Sequence, residues 1–168
     1  MAELIAALAI QGIFVAIAVP NLTAYLHRAQ FQRNEAFART IYLAAEANLT
    51  HLRLTGQWED FKKDLLAAGT RSPETNAVYG VPLNGRGPDS ETKERIKSKL
   101  LRETAFDGES ENAYICIEVD LLTKQVHAVF YSETTGNLSY NPGTDGYLGG
   151  QSYENRFERR LGRYPAED

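Results

Sequence analysis

The chain has 168 residues, of which 22 are acidic and 18 basic, giving a formal net charge of −4 and a pI near 5.5. That length suits one domain, with at most an appendage, and the acid surplus leaves no basic stripe able to neutralise a nucleic-acid backbone, so no nucleic-acid partner is predicted. A single cysteine, Cys116, excludes an internal disulfide and any zinc site built on paired thiolates.

Residues 4–19 read LIAALAIQGIFVAIAV, sixteen positions with no charge and only Gln11 as a polar side chain. As a helix they span about 24 Å, and extension through Leu26 brings the length to about 34 Å, enough for the roughly 30 Å hydrocarbon layer of a bilayer. Tyr25 then falls near an interface, with His27 and Arg28 on the water side. A cleavable secretory signal fits poorly, because no base precedes the apolar run. A helix buried inside a globular core fits poorly too, since the remainder is too polar to surround it. A hydrophobic helix that packs against copies of itself stays open beside the membrane span.

The helical pattern continues beyond the apolar run. Leu22, Leu26, Ala29, Arg33, Phe37, Ile41, Ala44 or Ala45, Asn48 and Leu52 recur at steps of three and four, and no glycine falls between Gly12 and Gly56. Helix formers dominate the interval. The prediction is one helix of about fifty residues, roughly 75 Å long at about 1.5 Å per residue, so half of it must project from a head this small. Pro20 lies inside it, where it removes a backbone donor and presses on the carbonyl of Ala16 at a cost of about 3 kcal/mol. Gly12 adds about 1 kcal/mol of weakness. Between them the helix can bend or lose hydrogen bonds. Glu3 places a carboxylate at the start of the apolar run; within hydrocarbon it needs a cationic partner, and the amino terminus of a neighbouring chain is an obvious one.

The string ELIAALAIQGIFVAIAVPNLTAYLHRAQ resembles the amino-terminal helix of the type IV pilins, in which a glutamate opens an apolar run that contains glycine and closes with Pro-Asn. The likeness covers about the first thirty residues. Type II secretion pseudopilins share the same helix, so the motif does not separate the two. The resemblance implies a subunit made in the cytoplasmic membrane, cut by a prepilin peptidase, and polymerised by a pilus assembly machinery into an extracellular surface filament of identical subunits. It implies assembly roles for Glu3, paired with a neighbour's amino terminus, and for Gly12 and Pro20, between which the helix loosens in the fibre. Filament-core packing would fall to Leu4, Ile5, Leu8, Ile10, Ile13, Phe14, Val15, Ile17 and Val19. Register with the family places Met1 at its third mature position, so either the family's leader and methylated end fall before this sequence or the register at the very tip differs.

The predicted fold is α+β, a long protruding N-terminal helix (1–54, with 1–26 in membrane or filament core and 27–54 packed on the head) followed by a small antiparallel β-sheet head (55–168). Residues 57–68 (QWEDFKKDLLAA) carry Trp58, Phe61, Leu65 and Leu66 at helical spacing and stop at Gly69. Residues 70–89 are rich in turn formers and read as loop, with a short strand at 77–81. A helix capped at Asp89 or Ser90 runs to about Thr104, with Ile96, Leu100 and Leu101 inward and Lys93, Arg95, Lys97 and Lys99 facing water. Residues 113–119 (AYICIEV) and 125–132 (QVHAVFYS) form a hairpin, with a further strand near 137–141 and a helical turn or two within 153–161. Cys116 is a buried, inert thiol in the first of these strands.

Catalytic chemistry is not indicated. His27, His51 and His127 show no ligand-like spacing, and GxSxG, phosphate-binding glycine loops and HExxH are all missing. Asn141, Asp145 and Gly146 match part of a calcium loop, but glycine stands at 143 and serine at 152, where a closing glutamate belongs. No metal, cofactor or enzymatic activity is predicted. The reading is a structural filament subunit; the rivals are a secretion pseudopilin and a single-pass anchored binding module.

Overall fold

A computed structural model of the chain describes residues 2–71, 77–83, 90–102, 113–133 and 162–165. The fold is α+β, as predicted: a long N-terminal helix laid on a small antiparallel sheet. Helix α1 covers Ala2–Leu54, 53 residues or about 80 Å at about 1.5 Å per residue. It is followed by α2 (Trp58–Ala68), β1 (Thr70–Arg71), β2 (Val78–Pro82), α3 (Ser90–Leu100), β3 (Tyr114–Asp120), β4 (Gln125–Ser132) and β5 (Gly162–Tyr164). The five strands pair in sequence order, each antiparallel to the next.

Helix α1 ends on a glycine because the chain must reverse there. Gly56 adopts φ +74°, its N–H donates to Arg53 O, and Gln57 N–H donates to Leu52 O at 2.9 Å. This is the paired-bond C-terminal cap that satisfies the last carbonyls of a helix and favours glycine in the left-handed region. At Gly69, after α2, the need is for space: an added Cβ would lie 2.5 Å from Leu65 O and 3.1 Å from Val81 Cγ2.

The core lies between α1 and one face of the sheet. Ala38, Ile41, Ala45, Leu49 and Leu52 of α1 meet Ile115, Ile117 and Val119 of β3 and Val126, Val129 and Tyr131 of β4. Helices α2 and α3 close its flank with Trp58, Phe61, Leu65, Ile96 and Leu100. The second face of β3 and β4 is buried as well, at Tyr114, Cys116, Glu118, Ala128 and Phe130. Both strands are therefore nearly continuous buried runs instead of the usual alternation of a half-exposed antiparallel sheet.

Several expectations shift. The buried stripe of α1 is Phe31, Asn34, Ala38, Ile41, Ala45, Leu49 and Leu52, while Leu22, Leu26 and Arg33 are exposed. The expected and observed stripes coincide at Ile41, Ala45 and Leu52, and Phe37 is half-buried against the core; they part nearer the start of the packed stretch, where Asn34 and Ala38 are buried and Arg33 is exposed. The segment read as loop holds two strands, β1 as well as β2, and β1 pairs Thr70 with Gly80 and Arg71 with Tyr79. Helix α3 stops at Leu100, and Thr104 lies outside the described residues, as do the strand expected near 137–141, the calcium-like loop and the helical turn within 153–161. The sheet is instead extended by β5, which places Arg163 opposite Phe130.

Candidate assembly surface

Among the described residues, nothing covers the first half of α1. Every described side chain from residue 5 to residue 26 is exposed, and the predicted packing residues Ile5, Leu8, Ile10, Ile13, Phe14, Val15 and Val19 range from 51% exposure at Val19 to 72% at Phe14. By length and composition this helix is able to cross a membrane, and none of its most apolar window is buried against the head. Soluble monomers rarely leave so large a contiguous apolar surface open, which makes it a candidate for contact with lipid or protein. A Cβ placed on Gly12 meets nothing within 4 Å, so the glycine answers no contact inside the chain. The backbone remains helical through Gly12 and Pro20. Glu3, Leu4, Ile17 and Pro20 belong to α1, but their side chains lie outside the described set.

The second half is fixed to the head by polar bonds as well as by the apolar stripe. A bulge in β4 pairs Glu118 with Ala128 and Val119 with Val126, leaving His127 as the extra residue. The Val126 N–H at that irregularity donates to the Glu46 carboxylate of α1 at 2.8 Å. Tyr42 stacks edge-on against Tyr164 of β5 with centroids 4.9 Å apart, and Arg39 lies over the same ring. Burial raises the Tyr42 phenol above its ordinary range, and the neighbouring Glu46 and Tyr164 add to the shift. Near the start of the packed stretch, Phe37 rests on Tyr131 and Arg33 pairs with Glu133 at 3.1 Å.

At the far end the β3–β4 turn grips the helix junction. Asp120 Oδ1 accepts from Leu122 N–H at 2.7 Å, Lys124 takes φ 58°, and the Lys124 carbonyl accepts from Arg53. The Lys124 ammonium sits 5.7 Å from the centre of the Trp58 ring.

The cations of α3 do not simply face water. Arg95 and Lys99 both donate to Asp64 of α2, at 3.2 and 2.8 Å, and Lys93 and Lys97 are half-buried. Burial alone would raise the Asp64 pKa, but the bonds from Lys99 and Arg95 outweigh it and hold the carboxyl below its ordinary value. Cys116 is fully buried and unbridged; burial, reinforced by the Glu118 charge, pushes its thiol well above the ordinary range, so it is a poor nucleophile. Among the described residues no group of three or more His, Cys, Asp or Glu side chains is placed to hold a metal ion.

A cavity of about 390 Å³, unforeseen in the sequence, opens between the end of α1, the start of α2 and the end of α3. Its described lining is Asn48, His51, Leu52, Gln57, Ser98, Lys99 and Arg102. These positions come from two regions some fifty residues apart, and only the docking of α3 on α1 brings them together. Asn48 makes that docking specific, its amide donating to Leu100 O at 2.9 Å and to Arg102 O at 3.3 Å. The chain matches no known protein family, no curated protein and no solved structure.

Proposed function

We propose that this chain is the structural subunit of a type IV pilus-like surface filament, held in the cytoplasmic membrane by the apolar half of α1 before assembly and packed through that same half afterwards. The observation that supports this most strongly is the contrast along one helix: every described side chain of residues 5–26 is exposed, most of them apolar, while residues 31–52 bury a regular stripe on the sheet. Burying a large aliphatic or aromatic side chain is worth about 1.5–3 kcal/mol. The exposed row from Ile5 to Val19 is therefore strongly disfavoured in water, and sister helices in the fibre would shield it as lipid does beforehand. The register of Glu3, Gly12 and Pro20 adds the pilin resemblance.

Helix packing of this kind joins one face of a subunit to a different face of the next, which propagates an open fibre. In that arrangement Glu3 meets the amino terminus of a neighbour. The same rod also suits a short secretion pseudopilus or a single-pass anchor for a binding module, because its length and composition fit a bilayer equally well.

Negative-stain microscopy of material sheared from expressing cells separates these readings: long thin fibres containing the chain are expected. Glu3→Ala should leave the protein in membranes with its head folded while filament yield falls steeply. A normal yield from that variant would remove Glu3 from the assembly mechanism, and a membrane-held chain that never polymerises would leave the anchored module.

A further inference from the structure

The described lining of the cavity between α1, α2 and α3 differs in charge from the chain as a whole. Although acids outnumber bases 22 to 18, none of its described lining residues is acidic, and three of them, His51, Lys99 and Arg102, can carry positive charge. Among the described residues, the imidazole of His51 and the guanidinium of Arg102 form no hydrogen bond or ion pair with protein. Lys99 is held by Asp64 at 2.8 Å, which fixes the ammonium in place and leaves further N–H donors. The carbonyls of Leu100 and Arg102, which would repel an anion at the end of α3, already accept from Asn48. Gln57 is also the N-cap of α2 and makes no side-chain capping bond, so the positive end of that helix lies at the rim. Glu59 and Asp60 of the same turn are exposed and do not line the space.

From these features we infer that the cavity binds a phosphate monoester whose remainder is a small, hydroxyl-bearing group of about hexose size. A fixed ammonium beside a guanidinium and an imidazole matches a phosphoryl group, for which the arginine fork supplies two parallel donors. The volume exceeds what a bare phosphate fills and reaches the range of small-molecule sites. Beyond the cations, the Asn48 and Gln57 side-chain carbonyls accept from hydroxyls. The Ser98 hydroxyl, which donates to Arg95 O at 2.9 Å, keeps lone pairs free to do the same. Leu52 gives the floor an apolar patch for a ring face.

The test uses the full chain in neutral detergent micelles, in phosphate-free and sulfate-free buffer at constant ionic strength. Glucose 6-phosphate, glucose and inorganic phosphate are titrated by calorimetry, with the fluorescence of Trp58, the sole tryptophan and the neighbour of Gln57, as a second readout. Saturable binding of glucose 6-phosphate is expected, with no binding of glucose and weaker binding of inorganic phosphate. Arg102→Gln should lower the affinity by about tenfold or more, the loss of one charge-assisted contact. Arg53→Gln, which removes a cation outside the cavity, should leave the affinity within about twofold. No saturation by about 20 mM, equal affinity for inorganic phosphate, or an equal loss in Arg53→Gln would each overturn the assignment.

Discussion

The two halves of α1 are made of similar helix-forming residues and share one unbroken backbone, yet they have opposite surroundings. In residues 31–52 the turns that point at the sheet are buried to the last few per cent, and Glu46 and Asn48 add polar bonds to β4 and to the end of α3. In residues 5–26 every described side chain is open. Helix propensity therefore explains why both halves are helical and nothing about where they rest. What differs is the surroundings: the described sheet and helices cover one half, while for the other the proposed filament calls on lipid or further copies.

Substituting the same residue type in each half tests this contrast most directly. Ile41→Ala, at a fully buried position, should cost about 2–5 kcal/mol in urea unfolding of the micelle-bound chain. Ile13→Ala, 63% exposed, should change the same unfolding curve by less than about 0.5 kcal/mol, and if it unfolds the head as readily as Ile41→Ala, the two halves are not energetically separate. Next in size is Glu46→Ala, which strips the acceptor from the Val126 N–H at the bulge; about 1–3 kcal/mol is expected, together with faster amide exchange at Val126.

Gly56→Ala should cost about 1–2 kcal/mol in the same unfolding curve by forcing a Cβ into φ +74°. The smallest effect belongs to Asp64. Its carboxyl is held below its ordinary value in the folded state, so the stability it contributes is complete above the unfolded pKa, near pH 4, and is lost as pH falls through the lower folded value. Asp64→Asn should therefore flatten the acid limb of the stability–pH curve by about 1 kcal/mol or less, since Arg95 is half exposed and solvent weakens its share. An unchanged acid limb would show that the clasp between α2 and α3 carries no net energy.

The parts of this fold that were legible in the sequence are those governed by local pattern. The long helix announces itself through the absence of glycine from 13 to 55, and the hairpin through β-branched and aromatic runs on either side of a short polar turn. The buried stripe was legible at Ile41, Ala45 and Leu52, but not at its start, because Leu22 and Leu26 extend the apolar spacing into a stretch whose described side chains are exposed. With the pattern anchored there, Arg33 falls on the inward face, whereas the sheet selects Asn34 and Ala38. Strand β5 escaped notice since Gly-Arg-Tyr is too short for any period and owes its form to β4 and to the ring of Tyr42. The Asp64 clasp and the cavity depend on side chains contributed by separate helices, for which no spacing rule exists. The apolar row from Ile5 to Val19 was legible residue by residue, because its described members pack on nothing described in the chain and so follow composition alone.

The fastening of β5 to α1 bears on how the molecule is made. Tyr164 belongs to the last of the described strands to leave the ribosome, and it closes on Tyr42, which emerged about 120 residues earlier. At roughly 5–20 residues per second, synthesis separates the two by several seconds or more. During that delay the greasy leading segment is already available to a bilayer, whereas the edge of β4 waits for its neighbour. On the proposed reading, in which the apolar half of α1 enters a bilayer, insertion would precede completion of the head, and the nascent chain would be tethered at one end while its sheet is still being finished.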